Sequence, residues 1–183
     1  MEKYLKFALV AGILAFILEL PNFIVRLFGI DNLMFNLSNP QLFLRIHNLS
    51  NNLWIRLIFI LVYVGYLVGY MIISKKSNKK LMFHLSYLWI VNAILMTSFS
   101  LFKLDQLAII FLFSGAVLSI LWGIAFIKLK DLFGKYALIT GIIILIMGLS
   151  NASYILQGLG NILLIPTWIL ELIFMFLAIK KFG

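Results

Sequence analysis

LWIRLIFILVYVGYLVGYMIISKKSNKKLMFHLSYLWIVNAILMTSFSLF, residues 53–102, decides the fold. Two apolar runs flank a short polar link in which Lys75, Lys76, Lys79 and Lys80 are concentrated. Each run reaches the roughly 20 residues that a helix needs to cross a hydrocarbon core at about 1.5 Å of rise per residue. Neither alternates in polarity, as the strands of a membrane barrel would. The pair reads as a helical hairpin whose turn carries positive charge.

The same pattern extends outward in both directions. Apolar runs at 7–28, 53–74, 81–102, 107–127, 136–156 and 162–179 predict an all-α polytopic membrane protein of six transmembrane helices. Composition agrees, since 64% of the 183 residues are hydrophobic and too little polar surface remains to cover a soluble core. The links are too short for a second domain, so residues 1–183 form a single transmembrane domain. Lys3 and Lys6, the four lysines of the central link, Lys128, Lys130 and Lys135, and Lys180 and Lys181 all fall on one side of a six-span bundle. Arg26, Arg45, Arg56 and Lys103 fall on the other. Positive charge concentrates on the cytoplasmic face, which predicts a cell-membrane protein with both termini in the cytoplasm. The net charge of +9 is dispersed over helix ends and forms no basic face interleaved with aromatics, so nucleic acid is not an expected partner. The first run follows basic residues, as a signal peptide does. No polar stretch with a small-residue cleavage site precedes Glu19 and Pro21, so it is expected to remain as the first helix.

Two windows match each other. KFALVAGILAFILELPNFIVRLFGIDNL from Lys6 and KYALITGIIILIMGLSNASYILQGLGNI from Lys135 share 11 of 28 positions, including Gly12 with Gly141 and Asn22 with Asn151. The match predicts three hairpin repeats, residues 1–78, 79–133 and 134–183. The long link over 30–52 predicts a short interfacial helix, started by Asn39 and Pro40 and carrying Leu42, Ile46 and Leu49 on one face.

Chemistry has few places to reside. Glu2 and Asp131 are expected on the cytoplasmic side and Asp31 and Asp105 outside, which leaves Glu19 and Glu171 inside apolar runs. Glu19 lies roughly 20 Å from Lys6 and Glu171 roughly 14 Å from Lys180, so both fall near the midplane at one level. A charge at that depth costs about 2.5–3.5 kcal/mol, so both side chains are expected to face the bundle interior and find partners there. Tyr63, Tyr66 and Tyr70 form one stripe at helical spacing, and Asn92 lies at similar depth, so these four with the two glutamates make a candidate intramembrane polar site. Pro21 removes a backbone donor and frees the carbonyl of Ile17, which predicts a kink beside Glu19. Arg26, Arg45 and Arg56 are candidate external contacts for an anion or lipid headgroup, with snorkelling to the interface as the plainer expectation. His47 and His84 lie at opposite ends, and no cysteine is present, so neither metal nor cofactor is expected. Gly65 and Gly69 predict close helix packing within the bundle. Trp54 fits the interfacial belt, whereas Trp89, Trp122 and Trp168 are expected to pack.

The last third, GIAFIKLKDLFGKYALITGIIILIMGLSNASYIL from Gly123, then Pro166, then ILELIFMFLAIKKFG, resembles a family of small six-helix prokaryotic membrane proteins known only as a domain of unknown function. The resemblance implies six helices and an acid at Glu171, and it implies no activity.

A nucleophile with its base, or an acidic cluster for a metal-bound phosphate, is absent from the sequence, so an enzyme is not expected and a lipid-modifying one is the remote alternative. The first expectation is a non-enzymatic protein acting by association with membrane lipids, a partner membrane protein or a second copy, with the glutamates as polar glue. Its alternative is a small proton- or cation-coupled transporter using Glu19 and Glu171. A water-accessible cavity reaching either glutamate favours transport, and a fully packed interior favours association.

Overall fold

A computed structural model describes residues 1–29, 52–101, 105–153 and 156–183. Every regular element among the described residues is a helix: α1 (Glu2–Gly29), α2 (Leu53–Ser77), α3 (Lys80–Leu101), α4 (Asp105–Ile127), the one-turn α5 (Lys130–Phe133), α6 (Lys135–Ala152) and α7 (Gln157–Phe182). Five stretches are long and apolar enough to cross a membrane: Glu2–Pro21, Leu53–Ser77, Lys80–Phe99, Lys135–Ala152 and Gly158–Phe182. Within α4 the shorter stretch Phe113–Ile127 is apolar. The interfacial helix expected over 30–52, with Arg45, lies outside the described residues.

Local chemistry sets the helix ends. The Asn52 side chain accepts from the backbone N–H groups of Trp54 at 2.9 Å and Ile55 at 3.3 Å, and so starts α2. Asn78, left-handed at φ 53°, ends α2, with Lys75 and Lys76 against the negative end of the helix dipole. Gly134 turns the chain from α5 into α6 at φ +61°, a conformation costly for any residue with a Cβ. α1 continues through Pro21 and α7 through Pro166.

Packing closes the helices into a ring. α1 meets α2, α2 meets α3, α3 meets α4, α4 meets α6, α6 meets α7, and α7 returns to α1. α2 also touches α7 across the centre. Small residues make the closest seams. A Cβ at Gly123 would lie 2.7 Å from the carbonyl oxygen of Gly141, and one at Gly148 would lie 2.8 Å from the backbone nitrogen of Ile120, so α4 and α6 touch backbone to backbone. Gly65 and Gly69 of α2 admit Phe7 and Ala8 of α1, within the bundle as expected.

The lysine-rich ends gather at one end of the ring. Lys79 pairs with Asp131 at 3.6 Å, the Lys181 ammonium donates to the carbonyl of Leu132, and Glu2 lies beside Gly183. From that end an aromatic column fills the interior: Phe182 against Phe133, Phe133 against Phe174 at 4.4 Å, Phe174 against Phe126 at 4.8 Å, and Phe126 and Trp122 around Tyr70. Only 22–39% of each spanning window is buried inside the protein, and Phe7, Leu61, Phe113, Ile142 and Phe176 point outward, an exterior that suits lipid.

The glycine seam gives a direct test. Gly123→Val and Gly141→Val each force two backbones apart and are expected to lower stability by about 1–3 kcal/mol. Gly158→Ala, with nothing within 4 Å of the added methyl, leaves it unchanged or slightly higher. Thermal unfolding in detergent micelles reads the difference.

Candidate functional site

Glu171 sits on the inner face of α7 just above the aromatic column, and two other helices supply its hydrogen-bond partners. Trp122 of α4 donates its indole N–H to Oε1 at 2.8 Å. The Tyr66 hydroxyl of α2 meets Oε2 at 2.9 Å, one turn from Tyr70, whose hydroxyl donates to the backbone carbonyl of Glu171 at 3.1 Å. The two phenol oxygens lie 2.9 Å apart. The tyrosines are fully buried and Glu171 is 9% exposed, so each of these bonds is made away from bulk water. A buried donor or acceptor that loses its partner costs about 1–3 kcal/mol, so these bonds hold one another in place. The indole of Trp168 stacks on Tyr66 at 5.6 Å, and Tyr63 leans on Trp168 at 6.0 Å.

Above Glu171 the ring is hollow. A cavity of about 480 Å³ is lined by Glu19 of α1, Arg56, Phe59, Tyr63 and Leu67 of α2, Trp89 to Thr97 of α3, Gly115 to Trp122 of α4, Ile144 to Asn151 of α6, and Asn161 to Glu171 of α7. On α1, α2, α3, α6 and α7 the contributing segments lie mainly away from the lysine end, while that of α4 runs from mid-helix down to Trp122, so the aromatic column forms the floor and the cavity sits above it. The volume is that of a small-molecule site. Its walls mix aromatic faces with the polar groups of Asn92, Asn151, Asn161, Ser119 and Thr167. The Thr167 hydroxyl and the Trp89 indole N–H are buried with no hydrogen-bond partner among the described residues. Such groups ordinarily find a protein, water or ligand partner.

The candidate residues converge on this cavity, but not as one network. Tyr66 and Tyr70 reach Glu171; Tyr63 stacks on Phe59 at 5.5 Å and lines the wall instead. Asn92 accepts from Ser114 at 2.6 Å on the far wall. Glu19 is partly buried and lines the cavity, yet the two glutamates are not at one level. Gly12 lies against Tyr66 and Leu172. Counting helical rise from that contact puts Glu19 roughly 9 Å farther from the lysine end than Glu171. Register between neighbouring helices, not distance from the nearest lysine, sets relative depth. Arg56 also lines the cavity and is only partly exposed, whereas the side chain of Arg26 and all of Arg45 lie outside the described residues.

Trp122 packs as expected, against Tyr70 and Phe126, and it also donates to the carboxyl group, a role the sequence reading missed. Lysine spacing gave no signal of this, since Trp122 precedes Lys128 by six residues and Glu171 precedes Lys180 by nine. Asn151 and Asn161, the partners of Asn22 and Asn32 in the internal match, also line the cavity.

Trp122→Phe leaves Oε1 without its donor, so a loss of about 1–3 kcal/mol is expected in thermal unfolding. Tyr63→Phe, which breaks no bond to Glu171, should change stability by less than about 0.5 kcal/mol. No protein-family model, curated protein or solved structure matches the chain.

Proposed function

We propose that the protein is a six-span transporter of the cell membrane that binds a small solute in the cavity above Glu171. The observation that carries this reading is the cavity itself, which reaches both Glu19 and Glu171 where an associative protein would need only a packed interior. Six crossings are supported by the position of the lysine-bearing segments: the N-terminus, the α2–α3 link, the α5 turn and the C-terminus meet at one end, so each of the hairpins α1–α2, α3–α4 and α6–α7 leaves that end and returns to it. That arrangement is also what three hairpin repeats would produce. The concentration of lysine there supports a cytoplasmic position for that end, with the cavity towards the opposite side. Glu19 and Arg56 stand near its mouth and Glu171 at its floor. No nucleophile with its base lines the described walls, so the chemistry on offer is binding, proton exchange and release.

Accessibility tests the reading cleanly, because the chain contains no native cysteine to react. Asn161→Cys in the cavity is expected to react with a membrane-impermeant thiosulfonate added outside intact cells, as Gly158→Cys does, while Lys76→Cys reacts only after permeabilisation. Protection of Asn161→Cys equal to that of lipid-facing Ile142→Cys would remove the aqueous path and the transport reading with it.

A further inference from the structure

We infer that the cavity takes a small organic cation, an ammonium with an apolar body, and that the cation binds at Glu171 in exchange for the proton held there; the inference rests on the solute-binding reading of the cavity. Proton accounting points to the exchange. Four short contacts surround Glu171: Trp122 to Oε1, Oε2 to Tyr66, Tyr66 to Tyr70, and Tyr70 to the Glu171 carbonyl. A carboxylate leaves only three protons for them, those of one indole and two phenols. The neutral acid supplies the fourth. Its O–H then donates to Tyr66, Tyr66 donates to Tyr70, and Tyr70 donates to the carbonyl one residue's backbone away from where the circuit began. On ionisation Tyr66 turns its proton to Oε2, both carboxylate oxygens keep a donor, and only the contact between the phenols is lost. Both protonation states therefore fit one arrangement of heavy atoms, which is what a site that exchanges a proton requires.

The choice of a cation follows from the walls. Two carboxyl groups and one guanidinium line the cavity among the described residues. Of titratable groups, α1 brings Glu19, α2 brings Arg56 and Tyr63 to the walls with Tyr66 and Tyr70 beneath, and α3, α4 and α6 bring none. Around the Glu171 end stand the rings of Tyr63, Trp122 and Trp168, with Phe59 and Trp89 beyond, and aromatic rings attract an ammonium that has shed its water and meets them face on. An anion would meet those negative faces and two carboxyl groups. In the step, the O–H bond of Glu171 breaks, the proton leaves to water through the cavity, and the carboxylate pairs with the arriving ammonium, so charge at the floor stays balanced.

The test uses the full chain in lipid nanodiscs with benzyltrimethylammonium, whose charge is fixed at every pH, and neutral 2-phenylethanol. Binding is read from tryptophan fluorescence and proton release from an indicator in weak buffer. Addition of the cation should release up to one proton per site, and its apparent Kd should fall by up to tenfold per unit rise in pH, because a proton competes with it. The alcohol should show neither effect. Glu171→Gln should abolish proton release and weaken the cation at least tenfold. Cation binding independent of pH, proton release that survives Glu171→Gln, or no cation binding at all overturns the proposal. The pH dependence of the unsubstituted protein decides even if the variant does not fold. Cavity labelling at Asn161→Cys separates the two readings: labelling without cation binding overturns the cation site alone, and its absence overturns the solute cavity as well.

Discussion

A carboxyl group placed halfway along an apolar bundle has to be answered from within the protein, because lipid offers it no donor. The answer to Glu171 comes from α2 and α4, and so the residue ties α7 to both of them. Much of the interior follows from that requirement. Tyr66 and Tyr70 must stand one turn apart on the inner face of α2, which in turn needs Gly12 on α1 to leave room for the Tyr66 ring. Trp122 must face the same point, and the rings around it fill the space down to the lysine end.

The aromatic column and the cavity divide the interior unequally, and the division has a physical logic. Rings packed edge to face fill the half in which no polar group needs solvent. In the other half asparagines, a threonine, a glutamate and an arginine line the walls, and the Thr167 hydroxyl and the Trp89 N–H have no partner among the described residues. A hollow that admits water or a solute satisfies them at less cost than burial would. The cavity is thus the counterpart of the polar residues placed around it.

Legibility in the sequence followed contrast. Glu19, Glu171 and Asn92 stood out because a polar residue within an apolar run has few reasons to be there, and the lysines marked helix ends because nothing else polar competed with them. Trp122 had no such contrast, since a tryptophan among leucines reads as packing until its N–H is given a partner. Arg56 and Asn161 lay close enough to helix ends to pass for boundary residues. The ring order was hidden for a different reason: helices apolar on every side carry no stripe to say which face meets a neighbour. Small residues could have told part of it, because Gly123, Gly141 and Gly148 mark the closest seam.

That seam also apportions mobility. Where backbones touch, sliding one helix past the other means driving a side chain through a peptide group, so α4 and α6 behave as a single strut. At the seams around Gly65 and Gly69 the contacts are with side chains, Ala8 closest and Phe7 and Met175 beside it, and the last two can rotate and repack in small steps. A swing of α1 and α2 would therefore meet less resistance than one that parted α4 from α6. The ties at the lysine end between Lys79 and Asp131 and between Lys181 and Leu132 are the fastenings such a swing would have to loosen.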